Sequence, residues 1–257
     1  MKRRKFIAAS TVLGLSGVSS VVAAKSAPKA DKEVYELRSY ELKMGGMGRL
    51  EAYLQNALIP AMNRMGVTKI GVFKEVGKDE PAKLHLLLGY PSQGNYFQIK
   101  TQLKTDAEFN KAAEAYHQTP VDKAIYDRVS SSLMLAFDGM PQLMAPAKEP
   151  RIMELRTYEG YSEDAVRRKI KMFNDSEISI FNKTGLNIVF FGEVLIGPRT
   201  PCLTYMLTFK NMEERNANWA KFSADPDWKQ VSQAAEYANT VSRIERIFLE
   251  PTAYSYI

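Results

Sequence analysis

Glu36, Arg38 and Tyr40 stand two residues apart in Val34-Tyr35-Glu36-Leu37-Arg38-Ser39-Tyr40-Glu41. Glu154, Arg156 and Tyr158 repeat the spacing in Ile152-Met153-Glu154-Leu155-Arg156-Thr157-Tyr158-Glu159. In an extended strand every second side chain points the same way, so a carboxylate, a guanidinium and a phenol share one face in each copy. Such a set has two uses. It can hold a small anionic or carbonyl-bearing ligand through its guanidinium and phenol. It can also neutralise itself, because a buried charge left unpaired is expensive. The ion pairs open to it are Arg38 with Glu36 or Glu75, and Arg156 with Glu154 or Glu193.

His85 is a different kind of candidate. Its position in the second copy is taken by Thr204, so an imidazole able to act as a general base near neutral pH occurs in one half only. A satisfied structural histidine is the competing use. His117 follows a helical pattern among polar residues and reads as a surface side chain.

These residues need elements to hold them. The first strand leads through Gly45-Gly46 into a helical pattern at Leu50, Leu54, Leu58, Ala61 and Met65, closed by Gly66, with Pro60 predicting a kink. Strands are predicted at 69–76 and 83–90, separated by the charged turn Gly77-Lys78-Asp79-Glu80-Pro81. A helix follows from Ser92 to about Leu103, then another whose Thr105 and Glu108 match a capping box, then a strand at 132–137. Strand, helix, strand, strand, helix, strand is the split β-α-β order of a ferredoxin-like unit.

The second copy opens at about Arg151, with Ser162 as a helix N-cap and a helix running to Gly185. Its strand from Ile188 to Val194 answers Ile70 to Val76 at an offset of 118, pairing Phe73 with Phe191 and Glu75 with Glu193. Leu203 to Phe209 and Asp225-Pro226-Asp227-Trp228 answer the first copy at 119, and the last strand falls at 243–249. The domains are therefore 33–138 and 151–257, joined by a proline-containing connector at 139–150.

A four-stranded sheet with both helices on one face leaves the other face bare, and two such units cover each other. The expected fold is α+β: two ferredoxin-like repeats packed sheet to sheet as an intramolecular α/β barrel. If Tyr35, Leu37, Met153 and Leu155 lie under the helices, then Glu36, Arg38, Tyr40, Glu154, Arg156 and Tyr158 face the barrel interior, with Glu75 and Glu193 beside them.

The Glu-Leu-Arg-x-Tyr words, the order of elements and the aspartate-aromatic start of the late helix resemble the NIPSNAP family, within the dimeric α/β-barrel superfamily. The resemblance spans roughly residues 33 to 250. It implies the barrel fold but no single activity, since relatives of that barrel include monooxygenases, haem enzymes and proteins without known chemistry. Haem-binding relatives use a helical histidine, usually in the second domain, and the second repeat here contains none. No cofactor is therefore expected.

The rest of the chain narrows the setting. Lys2-Arg3-Arg4-Lys5, a mildly apolar run and the small residues Val22-Ala23-Ala24 form the three parts of an export signal over residues 1–24, followed by a polar leader at 25–32. Adjacent Arg3 and Arg4 with Phe6 resemble a twin-arginine signal, which predicts a periplasmic or envelope location. The run is too polar for a stable membrane span. Of the formal charge of +6 those four basic residues supply most, so the remainder gives no argument for nucleic acid. The lone Cys202 rules out an intrachain disulfide, and no cysteine–histidine spacing suggests zinc. Phosphate-binding glycine loops and nucleophile elbows are absent.

Two functional classes follow. One is a small-ligand protein working inside the barrel, with a cofactor-independent oxygenase or isomerase as its catalytic version. The other is an inert interaction or scaffold module whose outer helices bind a partner or a second copy of the chain.

Overall fold

The computed structural model describes residues 31–77 and 82–257. The residues read as an export signal, most of the leader and the tip of the charged turn lie outside them. The first half consists of β1 (Val34–Leu42), α1 (Gly46–Tyr53), α2 (Ile59–Arg64), β2 (Lys69–Glu75), β3 (Lys83–Tyr90), α3 (Gln93–Thr105), α4 (Ala107–Ala112), α5 (Glu114–His117) and β4 (Tyr126–Ala136). The second half repeats it as β5 (Ile152–Glu159), α6 (Glu163–Met172), α7 (Ile178–Thr184), β6 (Asn187–Ile196), β7 (Cys202–Phe209), α8 (Met212–Ala224), α9 (Pro226–Ser232) and β8 (Arg243–Pro251).

All eight strands close into one antiparallel barrel in the order β1-β3-β2-β8-β5-β7-β6-β4. Within a half, the ladders are long. Between halves they are short: Phe73, Lys74 and Glu75 pair across β2 and β8, and Leu133 to Ala136 pair across β4 and β6. Each short seam is lengthened by a stretch of irregular chain. The segment after β8 runs on along β2, with Thr252 N–H donating to Val72 O and Tyr256 N–H to Ile70 O. The connector does the same for β6, where Met144 N–H donates to Val189 O. Ile257 and Leu143 from these two segments enter the barrel interior. Closure leaves no sheet edge open to solvent in these seams.

Three apolar clusters follow from the strand alternation. Tyr35, Leu37, Phe73, Leu87, Met134, Met153, Leu155 and Met206 fill the barrel. Val34, Tyr40, Leu84, Leu86 and Leu88 pack outward against α1 and α2, and Tyr158, Leu203, Tyr205 and Leu207 pack outward against α6, α7 and α8. β3 is buried on both faces, which explains its unbroken apolar run.

The helices hold one correction and one surprise. The cap of α4 is Asp106, whose side chain accepts from Phe109 N–H, while Thr105 is the last residue of α3; the capping box does not form. Asp225 caps α9 in the same way. Between α1 and α2 the chain makes a π-helical turn at Leu54–Leu58, and between α6 and α7 another at Phe173–Glu177. The second has no proline, so Pro60 does not cause the distortion; both halves carry it. Gly185, with φ 80°, ends α7 in the left-handed region that glycine reaches without strain.

β4 is longer than its apolar content predicts. Tyr126 to Ser131 extend it with mostly polar residues, which a hydrophobic pattern cannot flag.

Candidate functional site

The strands settle which face carries the chemistry, and it is the reverse of the expectation. Glu36, Arg38 and Tyr40 have the parity of Val34 and Leu42, so they lie on the helix side of β1; Glu154, Arg156 and Tyr158 lie on the helix side of β5. The alternation separates two sets but does not say which set is enclosed. Enclosure goes to the apolar set because a narrow barrel offers a charge few partners, whereas the helices bring donors of their own.

Glu36 accepts from Arg38 Nε at 2.8 Å, from the Tyr90 hydroxyl at 2.8 Å and from Lys100 Nζ at 3.4 Å. Glu154, fully buried, accepts from Arg156 Nη1 at 2.7 Å, Arg215 Nε at 2.8 Å, Arg215 Nη2 at 2.9 Å and Trp219 Nε1 at 3.0 Å. Burial pushes both carboxyls up, but the arginines and their hydrogen bonds outweigh it and hold them below the usual carboxylate range. Tyr158 shares a hydroxyl hydrogen bond of 2.8 Å with Tyr205, and the Arg156 guanidinium sits 4.5 Å from the Trp219 ring centroid. Of the two uses the sequence allowed, these sets take the second. They are buried ion pairs between sheet and helices.

α6 contributes another buried pair that the sequence reading missed. Lys169 Nζ lies 2.6 Å from Glu177 Oε2, and burial raises the Glu177 carboxyl. The two are joined across the π-helical turn, a spacing no regular helix rule would flag.

The remaining candidates meet inside the barrel. Glu75 follows Phe73 on the interior face of β2, and His85 faces inward from β3, opposite Ser39 of β1. Ser39 Oγ is 2.8 Å from His85 Nδ1, and His85 Nε2 is 2.9 Å from Glu75 Oε1. A carboxylate only accepts, so in the neutral imidazole Nε2 carries the hydrogen and Nδ1 is left to accept from Ser39. His85 is 3% exposed and Ser39 half-buried. The three side chains are a hydroxyl, a base and an orienting acid in sequence.

They border a cavity of about 140 Å³ in the barrel mouth. Ser130, Ser132, Thr157 and Thr204 supply hydroxyls, and Leu37, Leu155, Val194 and Ile247 are among its apolar lining. Glu41, Glu245, Lys83 and Arg199 also border it, with Arg199 ion-paired to Glu245. With Glu75 the carboxylates outnumber the cations. Because equivalent residues of both halves line this one cavity, the pseudo-twofold axis runs along the barrel.

Glu193 is not among them. It is exposed on the outside of β6. β6 carries a bulge between Ile188 and Phe190, where Val189 is the extra residue. Before the bulge, Ile188 lies opposite Leu207 as Ile70 lies opposite Leu88; after it, Gly192 lies opposite Thr204 as Phe73 lies opposite His85. The slip from an offset of 118 to 119 therefore occurs inside this strand, and the counterpart of Glu75 is Val194. The pairing of Phe73 with Phe191 and of Glu75 with Glu193 is corrected to Gly192 and Val194.

The two halves can now be compared position by position in the interior. Ser39 and His85 correspond to Thr157 and Thr204, whose hydroxyls are 3.0 Å apart. Both halves thus close the same cross-strand contact by a hydrogen bond. Only the first replaces one hydroxyl with imidazole and backs it with a carboxylate. His117 is exposed, as expected.

Among solved structures the fold is shared with a Fusobacterium nucleatum protein provisionally named a monooxygenase. That match covers 86% of this chain and 93% of that one at 8% identity, with a TM-score of 0.57. A Lactobacillus acidophilus protein given the same provisional name covers 86% and 94% at 10% identity, with a TM-score of 0.56. A NIPSNAP family protein of unknown function from Agrobacterium tumefaciens covers 44% and 97% at 20% identity, with a TM-score of 0.38. At 8% and 10% identity the first two likenesses are of fold alone. No curated protein sequence matches the chain. The NIPSNAP family model matches it twice, over residues 35–137 and 153–256.

Proposed function

The chain belongs to the NIPSNAP family, and because that fold assigns no reaction by itself, we propose from the cavity that it binds one small neutral carbonyl-bearing molecule in the barrel mouth, with His85 as a proton acceptor. The observation that carries this is the Ser39–His85–Glu75 chain, present in one half and opening on the cavity. A cavity of about 150 Å³ takes a molecule of roughly benzene size, so the ligand has about six heavy atoms. Its neutrality follows from the lining. The arginines that suggested an anion face the helices and are paired to Glu36 and Glu154, while the cavity itself carries an excess of carboxylates. Hydroxyls of Ser130 and of the Thr157–Thr204 pair are the donors for a carbonyl oxygen.

Glu75 gives His85 its role. A carboxylate on Nε2–H fixes the tautomer and stabilises the imidazolium that forms when Nδ1 takes a proton. Proton transfer on a small ligand, passed to Nδ1 through the Ser39 hydroxyl bonded to it, is therefore the reaction class, with isomerisation a member of it. Export through the twin-arginine segment belongs to the same reading, because that route carries folded proteins and the cavity is complete only in the closed barrel.

The test uses the fact that the chain has two histidines. With ¹⁵N-labelled histidine, acetone, cyclohexanone and diacetyl are titrated in turn. The expected result is a saturable shift of the His85 ring nitrogens while His117 stays still. If none of the three moves His85, or if both histidines move together, the reading falls.

A further inference from the structure

Resting on that reading of the cavity, we infer that Ser39 is a nucleophile and that the substrates are small carboxylic esters with short acyl groups. Three observations lead there. Both ring nitrogens of His85 are engaged, Nδ1 by Ser39 Oγ and Nε2 by Glu75 Oε1. The proton within reach of Nδ1 is therefore the one on Ser39. Next, Thr157 and Thr204 close the equivalent contact with hydroxyls alone, so the fold at this level does not require an imidazole or a carboxylate. Finally, Ser39 is half-buried at the cavity wall while His85 behind it is sealed from solvent. A nucleophile open to the cavity, a base held against it and an acid orienting the base are the three roles of a serine hydrolase, here with the two ring nitrogens exchanged.

The step balances without a further reagent. Ser39 Oγ bonds to the acyl carbon as its proton passes to Nδ1. The ester C–O bond then breaks, and the alcohol leaves with the proton from Nδ1. Water repeats the sequence in reverse, freeing the acid and restoring the serine. The oxygen that becomes negative cannot use main-chain N–H groups of β1, which is laddered on both sides. The side-chain hydroxyls that line the cavity take that part instead. In the Thr157–Thr204 pair one hydroxyl donates to the other, so the second keeps its hydrogen for the cavity.

Methanesulfonyl fluoride is small enough for the cavity and reports the nucleophile directly. Attack by Ser39 forms the O–S bond, breaks S–F and releases fluoride. The purified chain is treated with it, and the product is read by intact mass and peptide mapping. We expect one methanesulfonyl group, on Ser39, none in Ser39→Ala, and labelling at least about 100-fold slower in His85→Thr, the loss expected when a general base is removed. His85→Thr installs the residue the second half carries, so folding is expected, and circular dichroism of each variant checks it. No adduct, an adduct elsewhere, or an equal rate in folded His85→Thr would overturn the inference. If labelling fails while the histidine titration still moves His85, the nucleophile is lost and the ligand site stands. If the titration also fails, the site goes with it.

Discussion

Glutamate 154 offers the sharpest test of how the layer between sheet and helices is held. Replacing it with glutamine keeps the shape and removes the charge. Four hydrogen bonds converge on the carboxylate, one from Arg156, two from Arg215 and one from Trp219. Taken singly, bonds to a charged group contribute about 1.5–3 kcal/mol each, but their sum overcounts, since glutamine retains one acceptor and Arg215 can turn towards water. The better measure is the cost of leaving a buried cation without its partner, about 3–5 kcal/mol. Arg156 is 8% exposed and its Nε already has no hydrogen-bond partner, so it has nowhere to turn. At roughly 2–4 °C per kcal/mol for a chain of this size, Tm should fall by about 10 °C. Glu36→Gln should cost about half as much, because Lys100, one of its two cations, is 36% exposed. The carboxyl of Glu154 is lowered on folding, so its contribution is present above the unfolded carboxylate pKa and is lost as pH falls through the lower folded value. The gap between wild type and Glu154→Gln should therefore begin to narrow below the unfolded carboxylate pKa of about 4.3 and go on narrowing as pH falls. Thermal melts followed by circular dichroism at pH 7 and pH 3 measure both effects. A neutral-pH difference under about 2 °C, or a gap that widens in acid, would refute the reasoning.

Three further outcomes are expected. Glu193→Ala should change stability by less than about 0.5 kcal/mol and Val194→Glu should cost about 2–4 kcal/mol, because the bulge puts the first outside and the second in the barrel; urea unfolding of both compares them, and the opposite order would return Glu193 to the interior. Burial, with the Glu159 charge adding to it, pushes the Cys202 thiol up to about 11, so iodoacetamide at pH 8 should react about 100-fold more slowly than with a free cysteine and speed up as pH rises. Replacing Arg3 and Arg4 together by lysine should keep the chain in the cytoplasm of its host, and fractionation that still finds it outside would remove the twin-arginine part of the proposal.

How much of this was legible in the sequence depends on what kind of constraint each feature obeys. The repeat, the strand order and β3 from Lys83 to Tyr90 were readable because apolar spacing is a local signal. The choice of enclosed face was not. Tyr35 and Leu37 against Glu36 and Arg38 is a clean division, yet deciding between the two sets needs Arg215, Trp219 and Lys100, which arrive from distant helices. The bulge at Val189 was visible as a slip in the repeat but could not be placed within a strand, and a misplacement of one residue exchanged Val194 for Glu193. The asymmetry of His85 against Thr204 was readable and pointed to the cavity. Its partners were readable only in part: Ser39 stood in the opening motif, with the parity of Tyr35 and Leu37, the residues expected under the helices.

The covalent joining of the halves has a consequence for divergence. In a symmetric homodimer a single gene writes both faces of the interior, so every substitution appears twice around the axis. A histidine and its carboxylate would then confront a second histidine and carboxylate in a space of about 140 Å³. Here each half has its own codons. His85 can change while Thr204 stays, and Glu75 can be kept while a one-residue insertion in β6 removes its counterpart, without disturbing the ion pairs that both halves still share beneath their helices. Fusion has made the barrel interior free to specialise one side at a time.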